Sequence, residues 1–519
     1  MQPERLVRSG SYSLLGSAFA AFAALALTAL VSNGMGAHGT GVFFQAVAFF
    51  TIASQIARLG TNSSIVKMTS EQHAFGRVGE TWRTVVIGVV PVLAVSVIGA
   101  LLIDSHAHEL ALWLGSPGER ANLEQLLREM APFIAPAAVL AVLHTATRMM
   151  RGVLAFTVLQ SVLLPLSRLV VVAIAVTIAW GALGAIRVWL AVIPLWLAVT
   201  VAMLARPLLL DWRQRHLAQE PMRVAARRFW VFSGSRAVGG ACETALEWSD
   251  VLIVAALGSP AEAGIYAVAT RTLRAGQVVD RAMRLAVSPT ISQMLALSQL
   301  GAARSLHTSV TRAMILCNWP YYLILATMGP AVLSVFGPGF EDASPVLVIL
   351  AAAMMVSSAA GMLQSILLQG GKSSWQMYNK ALAVALSVGL NLLLVPVLGI
   401  LGAAITWAGV ILLDTALASW QVHHKMGVTL APGALVLAMA VPSAVFGGGG
   451  AVLRLGFGSS LPALLVGVAG LALVYALVLW LLRQRLGIDG LWAEIPVIGR
   501  RSRVPAPLPA RGEVERRPA

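Results

Sequence analysis

Fourteen apolar stretches, each about as long as a bilayer core is thick, recur along these 519 residues. They lie near 12–32, 41–59, 84–104, 131–149, 156–180, 185–206, 229–257, 263–285, 313–336, 344–368, 380–398, 400–420, 433–453 and 461–482. A membrane-crossing helix needs about 20 such residues. Charged residues make up only 11% of the chain, against roughly 25% in soluble domains. The pattern predicts an all-α, polytopic membrane protein of about fourteen transmembrane helices. The first stretch has no small-residue cleavage site and reads as a retained helix, not a removed signal peptide. Cys242 and Cys317 both fall in apolar segments and suggest neither a disulfide framework nor a metal site.

The chain also repeats itself. Residues 181–192, GALGAIRVWLAV, match 399–410, GILGAAITWAGV, at Gly181/Gly399, Leu183/Leu401, Gly184/Gly402, Ala185/Ala403, Trp189/Trp407 and Val192/Val410. Upstream, SGSYSLLGSAF from Ser9 resembles SGSRAVGGACE from Ser233. Each is followed by a Gly-aliphatic-aromatic step, Gly41-Val42-Phe43 and Gly264-Ile265-Tyr266. Two echoes in the same order define a duplicated unit, and in a membrane chain this implies two repeats around a central path. Six helices return the chain to its starting side, so the copies run parallel. The expected division is an N-lobe at 1–210 (helices 1–6), a basic cytoplasmic linker at 211–228, a C-lobe at 229–425 (helices 7–12) and two extra helices at 426–482. An Arg- and Pro-rich tail at 483–519 reads as disordered. ISQMLALSQLGAARSL, between helices 8 and 9, has the periodicity of a helix lying on the membrane surface.

Basic residues set the orientation. Of the 37 lysines and arginines, 27 gather at the loop ends that share a side with both termini. Four (Arg120, Arg128, Arg187, Arg454) lie in the opposite loops, and six fall within segments. Both termini are therefore expected in the cytoplasm. The net charge of +15 is the same bias, suited to anionic lipid headgroups, and implies no nucleic acid.

Helices 7 and 8 carry the candidate chemistry, because ionisable groups inside a bilayer are costly. Arg236, Glu243, Glu247 and Asp250 fall within an arc of about 60° on helix 7. Arg271, Arg274, Arg281 and Arg284 occupy about 140° of helix 8, with Arg271 roughly 15 Å deep at 1.5 Å per residue. Two readings stay open. The acids of helix 7 pair with the arginines of helix 8 and hold the bundle together, with Asp280 pairing to Arg284 one turn away. Alternatively, the surplus arginines line a basic chamber for an anion, since guanidinium geometry suits phosphate. The second is favoured. Arg168, a lone arginine in helix 5, is a weaker candidate that reads as snorkelling.

Other motifs carry less. His106 and His108 lie beside Asp104 and Glu109 in an outer loop, where solvated polarity outweighs a metal reading. His423-His424 beside Lys425 belongs to a cytoplasmic loop. GGKSS at 370–374 fails as a phosphate loop because Ile366 stands where its first glycine belongs. HExxH, GxSxG and CxxC are absent from the sequence, and neither an enzyme nor a cofactor is expected.

Three stretches then resemble one family. GVFFQAVAFFTIASQIARLGTNSSIVKM, in helices 1–2, runs into a short Leu-Gly turn. WSDVLIVAALGSPAEAGIYAVATR, in helices 7–8, sets an Asp before a Gly-containing loop and a Gly-x-Tyr. VPVLGILGAAIT forms a Pro-x-x-Gly-x-x-Gly-Ala-Ala turn between helices 11 and 12. Over residues 9–425 the chain resembles the polysaccharide or O-antigen flippases of the multidrug, oligosaccharidyl-lipid and polysaccharide exporter superfamily.

The resemblance implies an alternating-access carrier in the bacterial cytoplasmic membrane. It would move undecaprenyl-pyrophosphate-linked oligosaccharide from the inner to the outer leaflet for surface polysaccharide biosynthesis. Implied partners are the lipid-linked oligosaccharide, membrane lipids, and polysaccharide polymerase and assembly proteins. The cavity would lie among helices 1, 2, 7 and 8, with Arg58, Arg236, Arg271, Arg274, Arg281 and Arg284 toward the pyrophosphate. Arg58 and Asp250 match the family's basic and acidic positions there, and Glu243, Glu247 or Asp250 would couple transport to an ion gradient. Alternatives are a multidrug or cation antiporter of the same superfamily, a lipid II flippase, and a non-transporting scaffold acting through its tail. Pro91, Pro165, Pro194, Pro320 and Pro396 are candidate kinks.

Overall fold

The computed structural model describes residues 3–487 except 78, 219, 432 and 459, so the expected disorder of 488–519 lies outside the described residues. All regular structure among the described residues is helical. The first half runs α1 (Pro3–Ala57), α2 (Thr61–Ala74), α3 (Thr81–Ser105), α4 (Ala107–Leu114), α5 (Arg120–Met150), α6 (Val153–Thr157), α7 (Leu164–Thr177) and α8 (Gly181–Arg213). The second runs α9 (Met222–Leu257), α10 (Pro260–Ala275), α11 (Val278–Ala296), α12 (Leu300–Thr327), α13 (Gly329–Leu333), α14 (Ser344–Ala359), α15 (Leu363–Gln369), α16 (Ser373–Leu398) and α17 (Ile400–Trp420). Helices α18 (Gly433–Pro442), α19 (Gly449–Phe457) and α20 (Leu461–Leu481) complete the chain.

Each of the fourteen apolar stretches coincides with helix. Among the described residues, ten helices are long and apolar enough to cross a membrane, or eleven if a pair bent by 91° near Met328 is one span. That number includes α1 once, although Gly36, at φ 64, bends it into two limbs. The ionisable-rich α9 and α10–α11 fall outside it.

The interruptions have local causes. Pro165 lies in the first turn of α7, where a missing N–H costs least. The π-helical turn Val158–Leu163 before it absorbs the mismatch with α6. Helix 8 breaks at Gly276–Gln277 into α10 and α11. Helix 10 breaks at Gly361, φ 79, where a β-carbon would meet Thr311 Oγ1 at 2.1 Å.

The expected surface helix over ISQMLALSQLGAARSL does not form as a separate element. Its first part ends α11 and its last part opens α12. Val287 and Ile291 are fully buried against Leu306 and Val310, so burial extends helix 8 and Ser298, at φ 55, makes the turn.

Helix α1 packs most extensively on α10, and also on α5, α7, α8 and α9. Around α12, α14, α16 and α17 a second set of contacts forms, and α9 packs on both α1 and α16. The duplicated stretches adopt one geometry. Gly181 (φ 67) and Gly399 (φ 56) each turn the chain from one helix into the next, and Trp189 and Trp407 are both buried a few residues on.

Candidate functional site

Two places where backbone meets backbone frame the centre of the molecule. At one end the second limb of α1 lies on α10, and a β-carbon on Gly41 would sit 1.6 Å from the Pro260 carbonyl oxygen. Ser259 caps α10 there, accepting from the Glu262 N–H at 3.2 Å while Glu262 Oε2 accepts from the Ser259 N–H at 3.0 Å. At the other end the α1–α2 turn lies on α9, where a β-carbon on Gly60 (φ 70) would come within 2.5 Å of the Ala237 nitrogen. Ser64 Oγ donates to Ser233 Oγ beside it, at 2.9 Å.

A cavity of about 510 Å³ opens at this second end. Arg58, Gln55 and Asn62 line it from α1 and the start of α2, Arg236 and Glu243 from α9, and Lys380 from α16. Arg58 donates to Gln55 Oε1 at 3.1 Å. Three cations therefore share one chamber with a single carboxylate, Glu243. Lys380 is already committed at its far side, its Nζ lying 2.7 Å from Asp414 Oδ2, and Gln364 also donates to that oxygen, at 3.0 Å.

The other candidates divide among different surroundings. Arg271 lies between aromatic rings, its Cζ 4.0 Å from the Phe44 centroid and 4.6 Å from that of Trp248. Arg274 pairs with Glu247 at 3.6 Å and also donates to the Glu247 carbonyl. Asp250, 1% exposed, accepts from the Tyr266 hydroxyl at 3.1 Å, with Ser387 of α16 alongside and Asn391 donating to that serine at 3.4 Å. Arg284 lines a separate polar cavity of about 80 Å³ with Asp280 and Asp414, and Asp280 accepts from Asn318 Nδ2 at 2.5 Å. Arg281 is exposed.

The expected chamber thus gathers Arg58, Arg236 and Glu243, while Arg271, Arg274, Arg281 and Arg284 fall outside its lining. The one polar stripe of α9 faces three environments: the cavity, Arg274 and a buried acid pocket. Lys380 and Asp414 form an ion pair beside the chamber that sequence reasoning missed, although Asp414 stands inside an apolar span and an intramembrane carboxylate is itself a signal. Among the described residues no three His, Cys, Asp or Glu cluster as metal ligands. His108, expected in a loop, lies in α4, and its Nδ1 is 2.9 Å from Glu124 Oε2 of α5.

A framework of long apolar helices around a polar chamber defines a polytopic all-α membrane protein. The chain belongs to the polysaccharide biosynthesis protein family, whose sequence model matches residues 6–295. In structure it is similar to a lipid II flippase MurJ in an inward closed conformation, with TM-score 0.72, 11% identity, and coverage of 91% of this chain and 98% of that one. It is also similar to an inward-facing multidrug resistance MATE family transporter of the MOP superfamily, with TM-score 0.60, 14% identity, and coverage of 79% and 94%. A Vibrio cholerae MATE transporter aligns with TM-score 0.54 at 15% identity, covering 82% and 97%. No curated protein sequence matches the chain.

Proposed function

We propose that this protein flips an undecaprenyl-pyrophosphate-linked oligosaccharide from the inner to the outer leaflet of the bacterial cytoplasmic membrane, by alternating access, for surface polysaccharide biosynthesis. The observation that carries the reading is the chamber in which Arg58, Arg236 and Lys380 outnumber Glu243. A pyrophosphate entering a low-dielectric chamber needs paired cations, the sugars need its wet walls, and the polyprenyl tail stays in lipid. The protein acts as a carrier rather than a catalyst, with both termini and the open end of the chamber cytoplasmic. The N-lobe at 1–210 and C-lobe at 229–425 rock about the glycine contacts. Asp250, in its oxygen-rich pocket with Ser387 and Asn391, takes and releases the coupling ion. Transport that survived collapse of both the proton and sodium gradients would sink that coupling step.

The test is complementation of a host lacking its polysaccharide flippase, at matched expression. Wild type restores surface polysaccharide, and Arg58→Ala, Arg236→Ala and Lys380→Ala lose it. A second reading, lipid II as the cargo, draws on the near-complete coverage of the MurJ structure. Rescue of a host depleted of its lipid II flippase, without rescue of surface polysaccharide, would favour it instead.

A further inference from the structure

Two helix breaks in the second half of the chain meet at one small cavity. Helix 8 is interrupted at Gly276–Gln277, so Asp280 falls in the first turn of α11. Helix 10 is interrupted at Gly361, between α14 and α15. Ser357 on one side of that break, and Gln364 and Ser365 on the other, line a polar cavity of about 80 Å³ with Asp280 and with Asp414 of α17. Thr415 Oγ1 donates to Ser357 Oγ at 3.3 Å and ties α17 to α14 there. Interrupted membrane helices are where carriers place ions, because a break brings backbone ends and polar groups to membrane depth. The end of α14 also lies here, and a helix C-terminus carries partial negative charge.

The acids of this cavity are incompletely answered. Asp280 is 6% exposed, and Asn318 Nδ2 donates to one of its oxygens, Oδ1, at 2.5 Å. Asp414 Oδ2 accepts from Lys380 Nζ at 2.7 Å and from Gln364 Nε2 at 3.0 Å. Asp414 Oδ1 and Gln364 Oε1 are buried with no hydrogen-bond partner, which is costly for a carboxylate above all. Ser365, 7% exposed, adds a hydroxyl. Arg284 also lines the cavity, yet among the described residues the ion pair made by these acids is Lys380–Asp414 alone. Arg281 is exposed. His307 stands behind the break, its Nε2 2.7 Å from where a β-carbon on Gly361 would lie. The unanswered atoms of Asp414 and Gln364 are oxygens, and oxygens suit a hard cation or a proton.

The Lys380–Asp414 pair separates this cavity from the central chamber, because Lys380 lines the chamber and Asp414 the cavity. Their side chains are only 18% and 13% exposed, so water screens neither charge well. A pyrophosphate in the chamber draws on the same ammonium and leaves Asp414 short of one positive charge. A monovalent cation on the cavity side replaces it.

We propose that the cavity at the Gly361 break is a monovalent-cation site, built from Asp414, Gln364 and Asp280, that fills as the chamber's anion takes Lys380 from Asp414. Cation and anion then bind with positive coupling, each raising the other's affinity by the same factor. The coupling rests on the pyrophosphate chamber proposed above; the cation site itself does not. Its occupant is sodium or a proton, either of which answers a bare carboxylate oxygen.

The test uses full-length protein in nanodiscs carrying Asp250→Asn, so that the Asp250 pocket does not contribute. Radiolabelled sodium at fixed pH should bind Lys380→Gln protein about tenfold more tightly than protein that keeps Lys380, a typical coupling between sites. Asp414→Asn should abolish that binding. With Lys380 present, inorganic pyrophosphate should tighten sodium binding by a similar factor, and sodium should tighten pyrophosphate binding equally. In weakly buffered, sodium-free solution, greater proton uptake on adding pyrophosphate to the parent than to its Asp414→Asn variant supports the site with a proton as occupant. Sodium binding and proton uptake both unchanged by Asp414→Asn, in protein whose unfolding temperature shows it folded, overturn the proposal. Failure of pyrophosphate to bind overturns the coupling and the chamber reading, while Lys380→Gln still decides the cation site.

Discussion

Gly41 and Gly264, counterpart glycines of the two repeats, lie against each other where α1 meets α10. A β-carbon on Gly41 would stand 3.0 Å from the Gly264 nitrogen, and one on Gly264 would stand 2.8 Å from the Gly41 nitrogen and 2.1 Å from the Ala37 carbonyl oxygen. The neighbours are backbone, so no side chain can rotate away. Small residues that let transmembrane helices touch are a general packing device. Here the device joins equivalent points of the two sequence echoes, at the end away from the chamber, and brings α1 and α10 into close contact there.

Gly41→Val should therefore prevent this contact. Overpacking of such a contact costs about 1–3 kcal/mol, which should appear as a lowered unfolding temperature in detergent. Cysteines placed near Met35 and Pro260 should become reachable by membrane-impermeant maleimide. Wild-type labelling rates in a stable Gly41→Val protein would show that the contact is incidental.

Breaking the Lys380–Asp414 pair should cost more than deleting it. Asp414→Ala leaves an ammonium without its partner, a loss of up to about 3 kcal/mol, whereas Lys380→Met with Asp414→Leu should fold nearly as well as wild type. The double variant should still fail in transport, because the chamber has lost one of its three cations. Thermal unfolding and complementation on the same three proteins check both parts.

The exposed pair at the opposite end offers a contrast. Arg187 lies 2.6 Å from Glu129, with side chains 53% and 28% exposed. Surface ion pairs contribute roughly 0–1 kcal/mol, so Arg187→Ala should move neither the unfolding temperature nor transport appreciably, despite its short contact.

Much of the framework was legible in the residues. Apolar runs located every crossing helix, because lipid leaves a chain few other options. The echo of Gly181 by Gly399 marked a turn that both copies make with positive φ. The interior of the site was not legible in the same way. Periodicity placed Glu243, Glu247 and Asp250 on one face of α9, but Glu243 faces the chamber that Lys380 of α16 also lines, while Glu247 and Asp250 meet Arg274 and Tyr266 of α10, an arrangement chosen by long-range packing. Lys380 sits where an apolar run begins, and the boundary of that run gives no sign that the lysine faces the chamber. The break at Gly361 is imposed by Thr311 and His307, some fifty residues earlier in sequence, and a glycine within a helical run does not announce it.

Arg271 is where the two ways of reading diverge most sharply. Depth and charge placed it among the groups meant for a pyrophosphate, yet its guanidinium is spent on Phe44 from α1 and Trp248 from α9. A desolvated cation–π contact is worth about 2 kcal/mol, and it depends on a planar cation that an ammonium does not reproduce. Arg271→Lys should therefore lower thermal stability by about 1–2 kcal/mol, with transport falling only as far as the folded fraction does. Arg236→Lys, facing the chamber, should leave stability unchanged and weaken transport directly. The decisive comparison is transport per folded molecule. If it collapses in Arg271→Lys while stability holds, the arginine leaves its aromatic clamp during the cycle and meets the substrate after all. If it holds, the clamp joins the two halves through every state, and the chamber's cations are Arg58, Arg236 and Lys380.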